Sequence, residues 1–443
     1  MKHTTLLIAA AALFAGSCKS SLEPEKPTAG EADFSTYVAI GNSLTAGYSN
    51  GSLYRSGQVN SYPAMLAGQF ALAGGGAFKQ PLLPGESGWP IAPAAGRLPK
   101  RILGYNTDCM GNTSLAPVLY SGLADTAGSA RSIAAEGPFN NMGVPGIRCI
   151  DYGVAGYGSL NPYAARFFSN PGLQTPLEAS LQLVPTFFTM WLGGNDVLGY
   201  ATSGGSGVVG GVGLNDISPL PAFKATYEAT VGALVKNGAK GVLINIPDMT
   251  ALPYFTTISP KGLNLTATNA AMLSSLYAQL GISFQEGPNY FIIQDTTAPG
   301  GLRQMKDGEY LLLTTPSDSL KCGGWGSAKP IPQQYVLTLD EVNNISEATA
   351  AFNQVIEEVA NKYKLALMDA NMYLKTLKSG ITWNGVTYTP TFVTGGAFSL
   401  DGIHLTERGY GLFANEVIRV INAHYKSTLP AVDINKYSGL RFP

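Results

Sequence analysis

This chain of 443 residues predicts an α/β fold on a parallel sheet, and three observations lead there. Short apolar runs alternate with stretches of helical period. The runs lack the in–out alternation of a half-exposed strand, so they suit strands covered on both faces. Turn-forming Gly, Pro or Asn residues close them.

Taken in order, Phe34–Ile40 (FSTYVAI) reads as the first strand, ending at Gly41, and Asn42 to Gly47 as a turn that opens a helix. Val184–Leu192 is the second buried strand, closed by Gly193-Gly194. Pro221–Asn237 reads as a helix that Gly238 stops. Gly241–Ile246 is a third strand. Leu339–Tyr363 places Val342, Ile345, Ala348, Phe352, Val355, Ile356 and Val359 on one helical face. Leu365–Met368 is a short strand, and Thr406–Tyr425 a final helix with Leu412, Ala414, Val417, Ile418 and Ile421 for its core face. Three stretches break this rhythm: residues near 49–140, 199–220 and 254–332, the last with some helix over Leu265–Leu280. They read as insertions in one domain covering 34–443.

Charge and composition exclude several functions. With 28 Lys+Arg against 29 Asp+Glu the formal charge is −1, and charged residues make up 13% of the chain, against about 25% on average. No basic block is present to neutralise phosphates, so nucleic acid is not an expected partner. Three His and four Cys without C-x-x-C or H-x-x-x-H spacing make a metal site hard to assemble. No cofactor is expected. Gly204–Gly213 is glycine-rich but lacks the terminal Lys-Ser/Thr of a phosphate loop.

The N-terminus reads as an address. Residues 1–17 combine a basic start, a ten-residue apolar stretch from Leu6 to Ala15 and small residues before Cys18. That stretch is too short to span a bilayer and suits a secretory signal. Ala15-Gly16-Ser17-Cys18 resembles a bacterial lipobox, which makes Cys18 the lipidation site and residues 18–33 a tether. The expected location is the cell envelope, lipid-anchored and facing the periplasm or the cell surface. Of the remaining cysteines, Cys109 and Cys149 form the more local pair for a single bridge.

Removal of the signal leaves two histidines. His404 follows Asp401 by three residues, a spacing that lets the carboxylate reach Nδ1 and leaves Nε2 free as a base. The same residues also fit a helix cap beside an exposed His. Ser43 stands at a strand-to-helix turn, where open α/β folds place ligands, and also fits an N-cap. Asn195, after the second strand, offers an amide to an oxyanion. Gly146 offers a backbone N–H from the turn Asn141–Gly146, with Gly143 as the alternative donor. His424, ending the last helix, suits the helix dipole. Asp151 and Asp196 show no spacing of a catalytic carboxylate pair, while Asp248 follows a strand and could line the same face, although Pro247-Asp248 also reads as an ordinary turn.

Together these segments resemble the GDSL/SGNH hydrolases. Gly41-Asn42-Ser43-Leu44 is similar to the first block of that family and Asn141–Gly146 to the second. Gly193-Gly194-Asn195-Asp196 is similar to the third and Asp401-Gly402-Ile403-His404 to the last. Asn42 stands where the family usually has Asp. The resemblance implies a flavodoxin-like three-layer sandwich, a Ser43–His404–Asp401 triad, a covalent acyl-enzyme, and an oxyanion hole of Ser43, Gly146 and Asn195. Frequent aromatics and only four charged residues between Tyr152 and Phe223 suit an apolar group. The expected activity is that of an esterase or lipase-like acylhydrolase on a small-molecule or lipid ester. The alternatives are a carbohydrate O-acetyl esterase and a non-catalytic glycan- or lipid-binding lipoprotein.

Overall fold

A computed structural model describes residues 26–89, 99–122, 124–125 and 127–440. The signal segment, Cys18 and the first part of the tether lie outside the described residues. Five parallel strands form the central sheet: β1 (Tyr37–Gly41), β2 (Asn141–Gly143), β3 (Phe187–Trp191), β4 (Lys240–Ile244) and β5 (Ala366–Met368). Their order across the sheet is β5-β4-β3-β1-β2. One row of the register reads Asn141, Ala39, Thr189, Val242, Ala366. This is the flavodoxin-like order, and its chain reversal lies between β1 and β3.

Every residue of β1 and β3 is buried, as expected for strands covered on both faces. Helix α1 (Ser43–Ala46) follows β1 directly, and α2 is Tyr62–Ala71. Helices α3 (Asn195–Thr202), α4 (Leu220–Val235), α5 (Leu339–Tyr363), α6 (Ala370–Ser379) and α7 (Glu407–Tyr425) complete the framework. Period-two alternation sends Phe187, Thr189 and Trp191 to one face. There Trp191 stacks on Phe413 of α7 at 4.1 Å and meets Tyr62 of α2 edge-on. Phe187 packs on Phe70 of α2 and Tyr425 of α7. On the other face α4 and α5 pack together, with Phe223 stacked on Phe352 at 4.1 Å. Two helical layers thus enclose the sheet.

The expected strands and long helices fall where the residue pattern placed them, within a few residues. Strand β2 and helices α2 and α6 were not anticipated. Within 49–140, α2 packs on α7, and an antiparallel hairpin pairs Arg101–Thr107 with Thr113–Leu119. Between 254 and 337, short hairpins gather a separate apolar cluster that includes Phe291, Ile293, Met305, Leu311 and Val336. No described helix is long and apolar enough to cross a membrane.

The expected Cys109–Cys149 pairing is wrong: the disulfide joins Cys109 to Cys322, 213 residues apart. Cys149 is buried in a 3-10 turn, where its thiol lies 3.7 Å from the Phe223 carbonyl oxygen. Cys109, by contrast, is exposed at the hairpin tip, where Asp108 pairs with Lys321 at 2.9 Å. Nearness in sequence misled because Cys109 lies on an exposed hairpin while Cys149 is buried in the main core.

Candidate active site

Ser43 is the first residue after the β1 turn. A side chain at Gly41 would put its Cβ 2.1 Å from Thr45 Oγ1 and 2.8 Å from the Trp191 carbonyl oxygen, so only glycine fits the end of β1. Asn42 caps α1: its side-chain oxygen accepts the Leu44 N–H at 3.0 Å. An Asp there would use the same acceptor, so Asn preserves the turn without adding charge. Ser43 is therefore presented by a cap; it is not itself the cap.

His404 and Asp401 come from the loop that enters α7. Ser43 Oγ lies 2.8 Å from His404 Nε2, and His404 Nδ1 lies 2.9 Å from Asp401 Oδ2. Both Ser43 and His404 are buried. Thr406 caps α7 by accepting the Gly409 N–H at 2.9 Å, which frees Asp401 from that duty. The Asp401 carboxylate accepts instead from the backbone N–H groups of Gly51, Ile403 and His404 and from the Ser399 hydroxyl. Burial pushes its pKa upward. The charge and hydrogen bonds of His404, with the backbone donors, outweigh burial and hold it well below the usual carboxylate range. The imidazole packs against the Tyr48 ring, with centroids 4.5 Å apart.

Two more blocks reach the same place. Asn195 opens α3 after β3, and one of its amide hydrogens goes to the Ile147 carbonyl at 2.8 Å. The other amide hydrogen has no partner among the described residues. The preceding Gly193 has φ +107, and a Cβ there would press on Ile246 and Phe223. The two candidate glycines, Gly143 at the end of β2 and Gly146 beyond it, now differ. Gly143 donates its N–H to Asn141 at 3.0 Å, and a Cβ would lie 2.3 Å from the Ala46 nitrogen. It is a packing residue. Gly146 makes the turn at φ +83, one residue before the carbonyl that holds Asn195.

Ser43, His404 and Asn195 open onto a cavity with almost wholly apolar walls. Trp191, Leu198 and Met249 contribute from the sheet end, Tyr373, Leu374 and Leu377 from α6, and Leu412 and Phe413 from α7. Asp248 is not in this lining; it caps a short 3-10 turn through Thr250. His424 bonds the Lys364 carbonyl at 3.1 Å, far along α7 from the site. Asp151 pairs with Arg148 at 2.8 Å.

Compared with protein-family models, residues 37–417 match GDSL-like Lipase/Acylhydrolase. The chain belongs to this family. It is an ester-bond hydrolase of the acylhydrolase type, and the matched segment runs from β1 into α7. No curated protein matches the chain significantly. Several supports of the acylhydrolase site escaped the sequence reading. Asn50, at φ +55, accepts the Leu400 N–H and donates its own N–H to Ser399, tying the Ser49–Gly51 turn to the Asp401 loop. The wall of α6 was also missed, although Ala370, Leu374 and Leu377 stand at helical spacing.

Proposed function

We propose that this acylhydrolase cleaves esters of an apolar acyl chain, with Ser43 as nucleophile. His404 Nε2 takes the Ser43 proton as Oγ attacks the ester carbonyl. Asp401 fixes the imidazole tautomer and stabilises the imidazolium. The oxyanion is met by the N–H groups of Ser43 and Gly146 and by the free amide hydrogen of Asn195. Collapse expels the alkoxide, which takes the proton back from His404. Water then attacks the acyl-enzyme by the same route and restores Ser43.

The observation that carries this reading is the Ser43–His404–Asp401 chain of contacts at 2.8 and 2.9 Å, opening onto an apolar cavity. Those walls favour a hydrocarbon chain over a sugar, which needs polar partners. The test is wild type, Ser43→Ala and Asn195→Ala on an ester series of rising chain length and on acetylated sugars. Ser43→Ala should abolish turnover and fluorophosphonate labelling. Asn195→Ala should lower kcat by about 10²–10³. Activity confined to acetylated sugars would refute the apolar-chain reading.

We also propose that the protein is exported and held in the cell envelope through lipidated Cys18. The lipobox-like sequence supports this, and so does the Cys109–Cys322 disulfide, because such bonds persist in oxidising compartments. Metabolic labelling with an alkyne fatty acid should mark the wild type and not Cys18→Ser.

A further inference from the structure

The glycine-rich loop after α3 has no part in the proposed chemistry, yet it exposes several aliphatic side chains. Val208, Val209, Val212 and Leu214 are 60%, 58%, 69% and 81% exposed. No charged residue occurs between Asp196 and Asp216. Hydrogen bonds hold the loop in shape. Asp216 turns its carboxylate inward and accepts the Val208 N–H at 2.9 Å and the Gly213 N–H at 2.7 Å. Arg148 donates from one guanidinium nitrogen to the carbonyls of Val212 and Gly213, at 2.8 and 3.1 Å, while the rest of the group holds Asp151. Gly210 and Ile217 close the loop through backbone bonds. Asp216 and one nitrogen of Arg148 thus fix an uncharged stretch of backbone that presents four aliphatic side chains to solvent.

The loop packs against α3, which contributes to the cavity wall. Leu198 lines the cavity, and at the next residue, Gly199, a Cβ would lie 2.0 Å from the Leu214 carbonyl oxygen. Arg148, which grips the loop, stands two residues after Gly146. The loop backbone at Leu214 thus packs on the α3 residue that follows a residue of the cavity wall. Clustered exposed aliphatics of this kind mark an interaction site.

We propose that the Val208–Leu214 loop docks the enzyme onto the surface of aggregated or bilayer lipid, so that an acyl ester can pass from it into the cavity. This rests on the apolar-chain reading above. A neutral loop selects the apolar boundary of such a surface rather than its charge, so docking is expected on zwitterionic lipid and insensitive to salt.

The test uses full-length protein carrying Cys18→Ser in every arm, so that no anchor contributes. Co-sedimentation with phosphatidylcholine vesicles is compared for that protein and for Val208→Ser/Val209→Ser/Val212→Ser/Leu214→Ser. Binding should fall about tenfold or more, as should turnover of an emulsified ester, while turnover of a monomeric soluble ester stays within about twofold. The smaller pair Val212→Ser/Leu214→Ser should give a partial loss if the fourfold variant fails to fold. Met272→Ser/Leu276→Ser, which removes exposed apolar side chains elsewhere, should change nothing. Vesicle binding that is absent in the parent, or equal in parent and loop variant, overturns the proposal. A parent dimer that the loop substitutions dissociate without altering vesicle binding also overturns it, in favour of a second copy of the chain. Ser43→Ala separates the two readings: it should bind vesicles normally and turn over nothing. Turnover by Ser43→Ala would refute the catalytic assignment and leave the docking result standing.

Discussion

Asp196 shows how a residue next to the chemistry is committed to architecture. It follows Asn195 directly and is wholly buried, and its carboxylate accepts the Cys149 N–H at 2.6 Å and approaches that of Ile150 at 3.5 Å. It therefore ties α3 to the segment that carries Gly146. Burial raises its pKa from an ordinary 3.8 to about 7, against the lowering effect of the hydrogen bonds from Cys149, Ser218 and Ile150. Between those two values the unfolded chain releases a proton that the folded chain keeps. Stability from this group thus falls as pH rises from about 4 to about 7, by at most about 1.4 kcal/mol per pH unit. Asp401 has the opposite sign, because its lowered value favours the folded state once the unfolded carboxyl ionises. Asp196→Asn isolates the first effect, since the amide oxygen still accepts the Cys149 N–H. In urea unfolding, any stability advantage of wild type over the variant at about pH 4.5 should shrink, or reverse, by about pH 7.5. A difference independent of pH would mean that Asp196 is ionised throughout.

At the scale of elements, α6 builds one wall of the apolar cavity, and on the proposed function it limits the acyl chain. It follows β5 directly and is capped by Asp369, which accepts the Met372 N–H at 2.9 Å. Its inner face brings Ala370, Leu374 and Leu377 to the cavity, opposite Leu412 and Phe413 of α7. Leu374→Phe adds bulk to that wall. One methylene in an apolar pocket is worth about tenfold or more in kcat/KM, so the longest accepted ester should lose at least that much while the shortest is little changed. A uniform loss across the series would indicate damage to folding instead. The same elements show what a sequence reveals. The buried strands β1 and β3 and the long helices were legible because period and turn chemistry are local properties, whereas the blocks around Ser43, Asn195 and His404 stood out only through their joint resemblance to a family. Strand β2 spans only Asn141–Gly143, too short for any period to register. Helix α2 opens at Tyr62-Pro63 inside glycine-rich surroundings that masked its pattern. The Ser49–Gly51 clamp on Asp401 joins residues about 350 apart, a relation that no spacing rule contains.

Across the whole molecule, the two ends of α7 set the polarity. His404 lies just before its first turn, and at the far end Thr28 meets Thr428. Nineteen helical residues separate those ends, a span of about 28 Å. The described part of the N-terminal segment therefore joins the molecule at the end of α7 remote from His404. The two longest inserted segments, which lie far apart in sequence, are joined to each other by Cys109–Cys322 and by the neighbouring Asp108–Lys321 pair. Closing so long a stretch of chain restricts the unfolded ensemble strongly, and disulfides of this kind typically contribute about 2–4 kcal/mol. Neither sulfur lines the cavity, so the bond should matter to stability and not to turnover. Cys109→Ser/Cys322→Ser should unfold at lower urea than wild type by that amount, with kcat/KM on a soluble ester within about twofold. A reductant should bring wild type to the level of the variant and leave the variant unchanged. Wild type that unfolds identically with and without reductant would show that the two segments are held by packing alone.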